Sequence, residues 1–173
     1  SDKVKYFAGF GYVKQDALYG DTRTNKSTSG FNRYNARVNI DANIVDKYLN
    51  LSADMAYRQE DRNSIAGSAS DVFNNMHRNP QTDPGRFPDG NLGKVSLGVN
   101  PIGLATEGGW VKDRKSVLNT RFMLDFNVPG LEGLNLKGIF SYDKIFNSIK
   151  RWTTPVDFYV WNKITGEYDG HSP

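Results

Sequence analysis

Polar and apolar residues alternate from Arg33 to Ile44: Arg33, Asn35, Arg37, Asn39, Asp41 and Asn43 fall on one side, Tyr34, Ala36, Val38, Ile40, Ala42 and Ile44 on the other. A period of two places successive side chains on opposite faces, so this segment predicts a strand with one apolar face. The pattern resumes in the other phase with Leu49, Leu51, Ala53, Met55 and Tyr57 against Asn50, Ser52, Asp54, Arg58 and Glu60. Val45-Asp46-Lys47-Tyr48 between them is a tight hairpin connection. A second hairpin follows the same plan. Leu118, Thr120, Phe122, Leu124, Phe126 and Val128 lead through Pro129–Gly133 into Leu134, Leu136, Gly138, Phe140 and Tyr142. Val4, Tyr6, Ala8, Phe10 and Tyr12 mark a fifth strand, although Phe7 and Val13 blur its polar face.

The connections alternate long, short, long, short. They cover Asp16 to Asn32, Val45 to Tyr48, Asp61 to Lys115 and Pro129 to Gly133, and everything after Asn147 forms a further long stretch. Antiparallel order then puts the short turns on one edge of the sheet and the long loops on the other. Strands of about 12 residues exceed the usual 5 or 6 of a soluble sheet and reach the 9 to 11 that a tilted membrane-spanning strand needs. An outer-membrane barrel combines such strands with short turns on one side and long loops on the other, an apolar face toward lipid and a polar face toward the lumen. Tyr12, Tyr34, Tyr48, Tyr57 and Tyr142 lie near strand ends, where an interfacial girdle would sit, although β-propensity also accounts for tyrosines in strands.

Composition agrees with a β-rich chain. The 173 residues hold 17 Gly, 17 Asn and 15 Asp against 4 Glu, with 10 Phe, 9 Tyr and 3 Trp, a mixture that favours strands and turns over helices. The net charge of +3 gives no polyanion signature, so no nucleic-acid partner is expected. Mean hydropathy is -0.61 and no run approaches the roughly 20 apolar residues of a spanning helix. The absence of cysteine removes disulfides, thiolate metal sites and cysteine nucleophiles. Five strands are too few to close a membrane barrel, for which about eight is the minimum, so the stretch from Ser1 to Pro173 is expected to be a piece of a longer chain.

The loop from Asp61 to Lys115 is too long to be structureless in a compact domain. Ser70–His77 is its one expected helix, with Ser68 or Ser70 as N-cap and Asn79-Pro80 as its stop. Asn79–Pro84 and Phe87–Asn91 read as turn-rich segments, and Asn100–Ala105 leads back toward the next strand.

Asn32-Arg33-Tyr34-Asn35-Ala36-Arg37-Val38-Asn39-Ile40-Asp41-Ala42 resembles a strand of the SusC/RagA-type TonB-dependent outer-membrane transporters. Asp2–Phe7 with Gly11-Tyr12, Arg78-Asn79-Pro80, Phe87-Pro88-Asp89-Gly90, Asn100-Pro101 with Ala105-Thr106-Glu107, and Trp161 to Tyr168 are similar to that family in the same order. The resemblance covers essentially the whole chain. It implies an all-β fold: antiparallel, up-and-down strands, about five to seven of them, forming part of a large outer-membrane β-barrel with long loops on one edge and one short helix. Residues 1–173 would be a single barrel segment and 61–115 an extracellular loop. The implied function is nutrient import across the outer membrane, of glycan or peptide cargo. A SusD-like surface lipoprotein would act as lid, and the TonB complex would supply energy through parts of the parent outside this chain.

Enzyme chemistry is not expected. His77 and His171 are the only histidines and lie far apart, which excludes paired-histidine zinc motifs. Asp83, Asp89 and Asn91 lack the order of a calcium loop and read as turn caps. Asp41, Asp54, Asp125 and Asp143 sit on polar strand faces, where they are expected to pair with Arg37, Arg58 and Arg121 rather than flank a sugar as catalytic acids. No phosphate-binding glycine loop, cofactor site or metal site is expected. Trp110, Trp152 and Trp161, with Phe158 and Tyr159, lie on the long-loop side, where aromatic platforms stack on sugars, and loop packing accounts for them equally well. No ligand-binding residue is assigned. The alternative function is a soluble all-β carbohydrate-binding module whose apolar faces meet between two sheets.

Overall fold

The computed structural model describes residues 3–17, 29–131 and 133–171. Most of the expected first long connection, residues 18–28, lies outside the described residues, as do Asp2 and Glu132. Five long strands form one sheet: β1 Val4–Asp16, β2 Gly30–Val45, β3 Leu49–Ile65, β4 Gly109–Asn127 and β5 Asn135–Thr153. Their spatial order is their chain order, an antiparallel up-and-down meander with β1 and β5 at the edges. The fold is therefore all-β, as the alternation predicts.

Both expected hairpins lie in this sheet, and their apolar faces coincide. On that face Tyr12 and Tyr34 approach to 5.0 Å between ring centroids, Phe122 and Phe140 to 6.5 Å, and the Tyr57 hydroxyl meets Ser116 Oγ at 3.3 Å. The polar face joins Arg33 Nε to Glu60 Oε1 at 3.1 Å and Asn119 Nδ2 to Asp143 Oδ1 at 2.8 Å. Cross-strand pairs of this kind fix the register, because a one-residue slip would move every side chain to the opposite face.

The short turns differ in chemistry. Lys47 takes a φ of 70° between β2 and β3, a left-handed conformation that costs a side chain with a Cβ roughly 1–2 kcal/mol. Tyr48 N–H donates to the Val45 carbonyl at 3.0 Å, closing that turn. In the β4–β5 turn, glycines take positive-φ positions, Gly130 at 86° and Gly133 at 88°.

The sheet buries little. Every residue of β5 is exposed, and Tyr6 and Phe140 on the apolar face keep 82% and 62% of their surface. The sheet's few buried positions are Ile65 in β3 and Val117 and Thr120 in β4.

The long connection does contain structure. Helix α1, Ala69–Arg78, begins at the Ser68 cap, whose Oγ accepts the Ser70 N–H at 3.1 Å, and ends at Asn79, as expected. A second helix, α2 Pro101–Thr106, was not expected. Its signal is present in retrospect: Asn100 caps it through Oδ1, and Pro101 takes the first helical position, where no N–H is needed. Two strands also run further than the alternation suggested. β3 continues to Ile65 and β4 starts at Gly109, so the connection between them spans 66–108 rather than 61–115. β5 passes Asn147 to reach Thr153 and is followed by a hairpin, β6 Phe158–Asn162 with β7 Glu167–His171, antiparallel from Phe158↔His171 to Asn162↔Glu167.

Contacts divide the chain into two compact units. One holds the chain up to Lys14, Asn32–Asp61 and Asp113–Ser148; the other holds Gln15–Phe31, Arg62–Lys112 and the chain from Ile149. The second unit has its own small core of Leu92, Val156 and Phe158, with Val99 packed against them. Gly109 is required where β4 begins, since a Cβ there would lie 2.1 Å from the Trp152 carbonyl oxygen.

Candidate functional site

The loop unit is organised by asparagines. Asn100 is 1% exposed; its Nδ2 donates to the Gly85 carbonyl at 2.6 Å and the Gly93 carbonyl at 2.7 Å, while Oδ1 accepts the Ile102 N–H at 2.9 Å. One side chain thus ties three points of an irregular backbone, whose buried polar groups each need a partner. Asn75 reaches from α1 to accept the Val99 N–H at 2.9 Å. Asn79 bonds the Asn75 carbonyl at 2.8 Å and the Leu97 N–H at 3.2 Å. These bonds hold 79–100 against the two helices, which pack on one another.

The candidate calcium oxygens are used locally. Asp83 accepts the Ser96 N–H at 2.6 Å and the Ser96 hydroxyl at 2.8 Å, and Asp89 accepts the Asn91 N–H at 3.1 Å and its Nδ2 at 2.9 Å. Asp89 thus caps its turn as expected, whereas Asp83 ties two segments thirteen residues apart. Among the described residues no three His, Cys, Asp or Glu side chains gather as a metal would need. His77 lies on α1, and His171 ends β7.

The polar strand face pairs differently from the expectation. Glu60 takes both Arg33 at 3.1 Å and Arg58 at 3.5 Å, so Arg58 pairs along its own strand rather than with Asp54. Arg37 donates to Asn39 Oδ1 at 3.0 Å. Asp125 accepts from Asn135 Nδ2 and lies 3.8 Å from Lys137, while Asp143 is held by Asn119. The reason is geometric: residues two apart on one strand face, or across adjacent strands, are neighbours, and the nearest donors here are amides and Lys137. These bonds hold Asp125 and Asp143 in separate strand-face contacts.

Two concavities lie within the loop unit. The larger, about 730 Å³, runs between α1 and α2 and is walled by Val72, Met76, Val95 and Ile102. Its charged rim is occupied internally: Arg86 pairs with Glu107 at 2.7 Å and donates to the Gly90 carbonyl at 2.5 Å, and Asp83 holds Ser96.

The smaller groove, about 540 Å³, is aromatic. Tyr168 of β7 is its centre, with ring centroids of Trp161 at 4.8 Å, Phe87 at 5.1 Å and Tyr159 at 6.4 Å. Register explains the gathering, since Trp161 and Tyr168 are directly paired residues of the hairpin. Loss of water around Tyr168 and the adjacent Asp89 carboxylate raise the phenol's pKa above its ordinary value, so it stays a neutral hydrogen-bonding group. Lys94 and Lys163 complete the lining.

The aromatic residues singled out in the sequence therefore separate. Trp161 and Tyr159 line the groove, whereas Phe158 is buried in the core. Trp152 is exposed and donates to Thr154 Oγ1 at 2.9 Å, and Trp110 stacks under Lys112, whose Nζ lies 4.8 Å from its ring. Phe87, Tyr168 and the two lysines were not foreseen. The Phe87-Pro88-Asp89-Gly90 turn was visible, but its meeting with Tyr168 joins positions some eighty residues apart.

Comparison with known proteins returns no matching family model and no matching curated protein.

Proposed function

We propose that this chain is a segment of the β-barrel of a TonB-dependent outer-membrane importer of the SusC/RagA type, taking up glycan or peptide cargo with a SusD-like lipoprotein as lid. The observation that carries the reading is the exposed apolar face of a meander of long strands, which carries several tyrosines. Tyr12 and Tyr34 stand on that face toward the long connections of β1 and β2, and Tyr57 and Tyr142 lie on it near the middle of β3 and β5. Beyond Tyr57 the same face turns polar, with Gln59, Asp61, Arg114 and Ser116, and Arg114 Nε meets Asp61 at 2.6 Å. From Leu49 to Tyr57, or from Tyr34 to Ile44, the apolar stretch rises roughly 27 to 34 Å along the strand, which at a tilt of about 40° covers roughly 21 to 26 Å of thickness. The apolar belt of an outer-membrane barrel is about 25 Å tall.

In water such a face would be a liability, since soluble monomers rarely expose contiguous apolar patches beyond a few hundred Å². Lipid removes that cost and makes the polar face the lumen wall. The edge strands β1 and β5 would pair with further strands of the parent, because closure removes open edges. The alternative soluble carbohydrate-binding sandwich needs an apolar partner sheet; the exposed faces of Phe122, Leu124 and Phe140 speak against it. No helix among the described residues is long and apolar enough to cross a membrane. A scan of single cysteines from Tyr34 to Ile44 in the reconstituted full-length protein, read with a polarity-sensitive dye and a lipid-borne quencher, tests the reading. Quenching with a period of two that peaks at Val38 and Ile40 supports it, and uniform quenching or none contradicts it.

A further inference from the structure

We propose that the groove around Tyr168 is a binding site for an acidic glycan, a chain of pyranose rings carrying uronate or sulfate groups; this rests on the importer reading and names its cargo class. Three aromatic rings with centroids 4.8 to 6.4 Å from that of Tyr168, with Pro84 and Pro88 beside them, form stiff walls with little rotamer freedom to lose on binding. Trp161 keeps 43% of its surface, so its ring is available to the C–H face of a sugar. The volume of about 540 Å³ lies within the range of small-ligand sites, roughly 300–1,000 Å³.

Charge sets the class of glycan. Lys94 and Lys163 line the groove, no carboxylate does, and neither lysine forms an ion pair among the described residues. Two nearby acids are committed: Asp89 holds Asn91 and lies against Tyr168, and Asp169 accepts from Asn162 Nδ2 at 3.2 Å. Two ammonium groups over an apolar wall are complementary to anions spaced along a ring polymer. An extended peptide is a poorer occupant. β6 is bonded on both sides, to β7 and through Tyr159 N–H to the Leu92 carbonyl at 2.8 Å and Lys94 N–H to the Tyr159 carbonyl at 2.9 Å, so its edge offers no ladder for strand addition.

The test is calorimetric titration of the full-length protein in detergent with three probes: oligogalacturonate, a chondroitin sulfate oligosaccharide and a neutral gluco-oligosaccharide. Binding of at least one acidic probe, with Trp161→Ala weakening it about tenfold and Lys94→Gln/Lys163→Gln weakening it about five- to tenfold in a salt-dependent way, is the expected result. The lysine substitutions are at exposed positions, and Trp161→Phe retains a ring, so loss of fold is separable from loss of binding. Preference for the neutral probe, absence of binding to either acidic probe, or acidic binding indifferent to Trp161 and both lysines overturns the proposal. Location is read separately, by membrane fractionation: a protein that binds acidic oligosaccharide but does not reach the outer membrane sinks the importer reading alone, and one that reaches it without binding sinks this inference alone.

Discussion

The strand unit and the loop unit solve the same problem of satisfying a polar backbone by opposite means. In the strand unit the hydrogen bonds run strand to strand, and the side chains contribute alternation and cross-strand pairs while burying little. In the loop unit the backbone is irregular, so side chains must supply the partners: Asn75, Asn79 and Asn100 do so, around a core of Leu92, Val156 and Phe158. A regular ladder tolerates changes to single side chains as long as their face is kept. An irregular loop depends on particular atoms. The strand unit is held by its ladder, and the loop unit by a few internal bonds.

The largest effect is expected at Asn100. Asn100→Leu keeps the branched shape but orphans the Gly85 and Gly93 carbonyls and uncaps α2, at a cost of about 4 kcal/mol. Hydrogen exchange should rise across 79–106 while β2 and β3 keep their protection; equal loss in both would erase the contrast between the units. Next comes Ile40→Arg, which should cost about 2–4 kcal/mol in a lipid-refolding assay, whereas Asn39→Arg one residue away is mild. Equal tolerance at the two sites removes the distinction between the faces.

Replacing most of 66–108 by a short linker should leave assembly of the full-length barrel largely intact, because loop length adds only about 0.6 kcal/mol per doubling, while uptake or lid association falls. Heat-modifiable gel mobility reads the first effect and transport the second. The smallest effect is at the β2–β3 turn: Lys47→Gly relieves the left-handed strain at φ 70° and should stabilise by about 1 kcal/mol or less, visible as a higher denaturant midpoint. A lower midpoint would mean that the Lys47 side chain contributes more than its backbone costs.

The same contrast explains what could be read from the sequence. The sheet was legible because a period of two over Arg33–Ile44 and its three partners needs only local information, and Ser68 with Asn79-Pro80 marked α1 in the same way. The edge strands were harder: Phe7 and Val13 in β1, and Ile139, Ile145 and Ile149 in β5, put apolar residues on the second face and mask the alternation. Helix α2 is six residues long, too short for a periodic signal, and only its Asn100-Pro101 start identifies it. The aromatic groove was half legible. Trp161 and Tyr159 stand close in sequence, but Phe87, Lys94 and Tyr168 join them through the β6–β7 register and the bridge from Gly93 to Tyr159, which no local pattern encodes.

The proposed importer would place the long connections outside the cell and the short turns in the periplasm. Single cysteines placed at Gly90 and at Asp46 of the full-length protein, in a background without other cysteines, can be treated on intact cells with a membrane-impermeant maleimide. Labelling of Gly90→Cys without Asp46→Cys, and of both after lysis, is the predicted result; labelling of Asp46→Cys alone on intact cells would invert the topology and contradict the account.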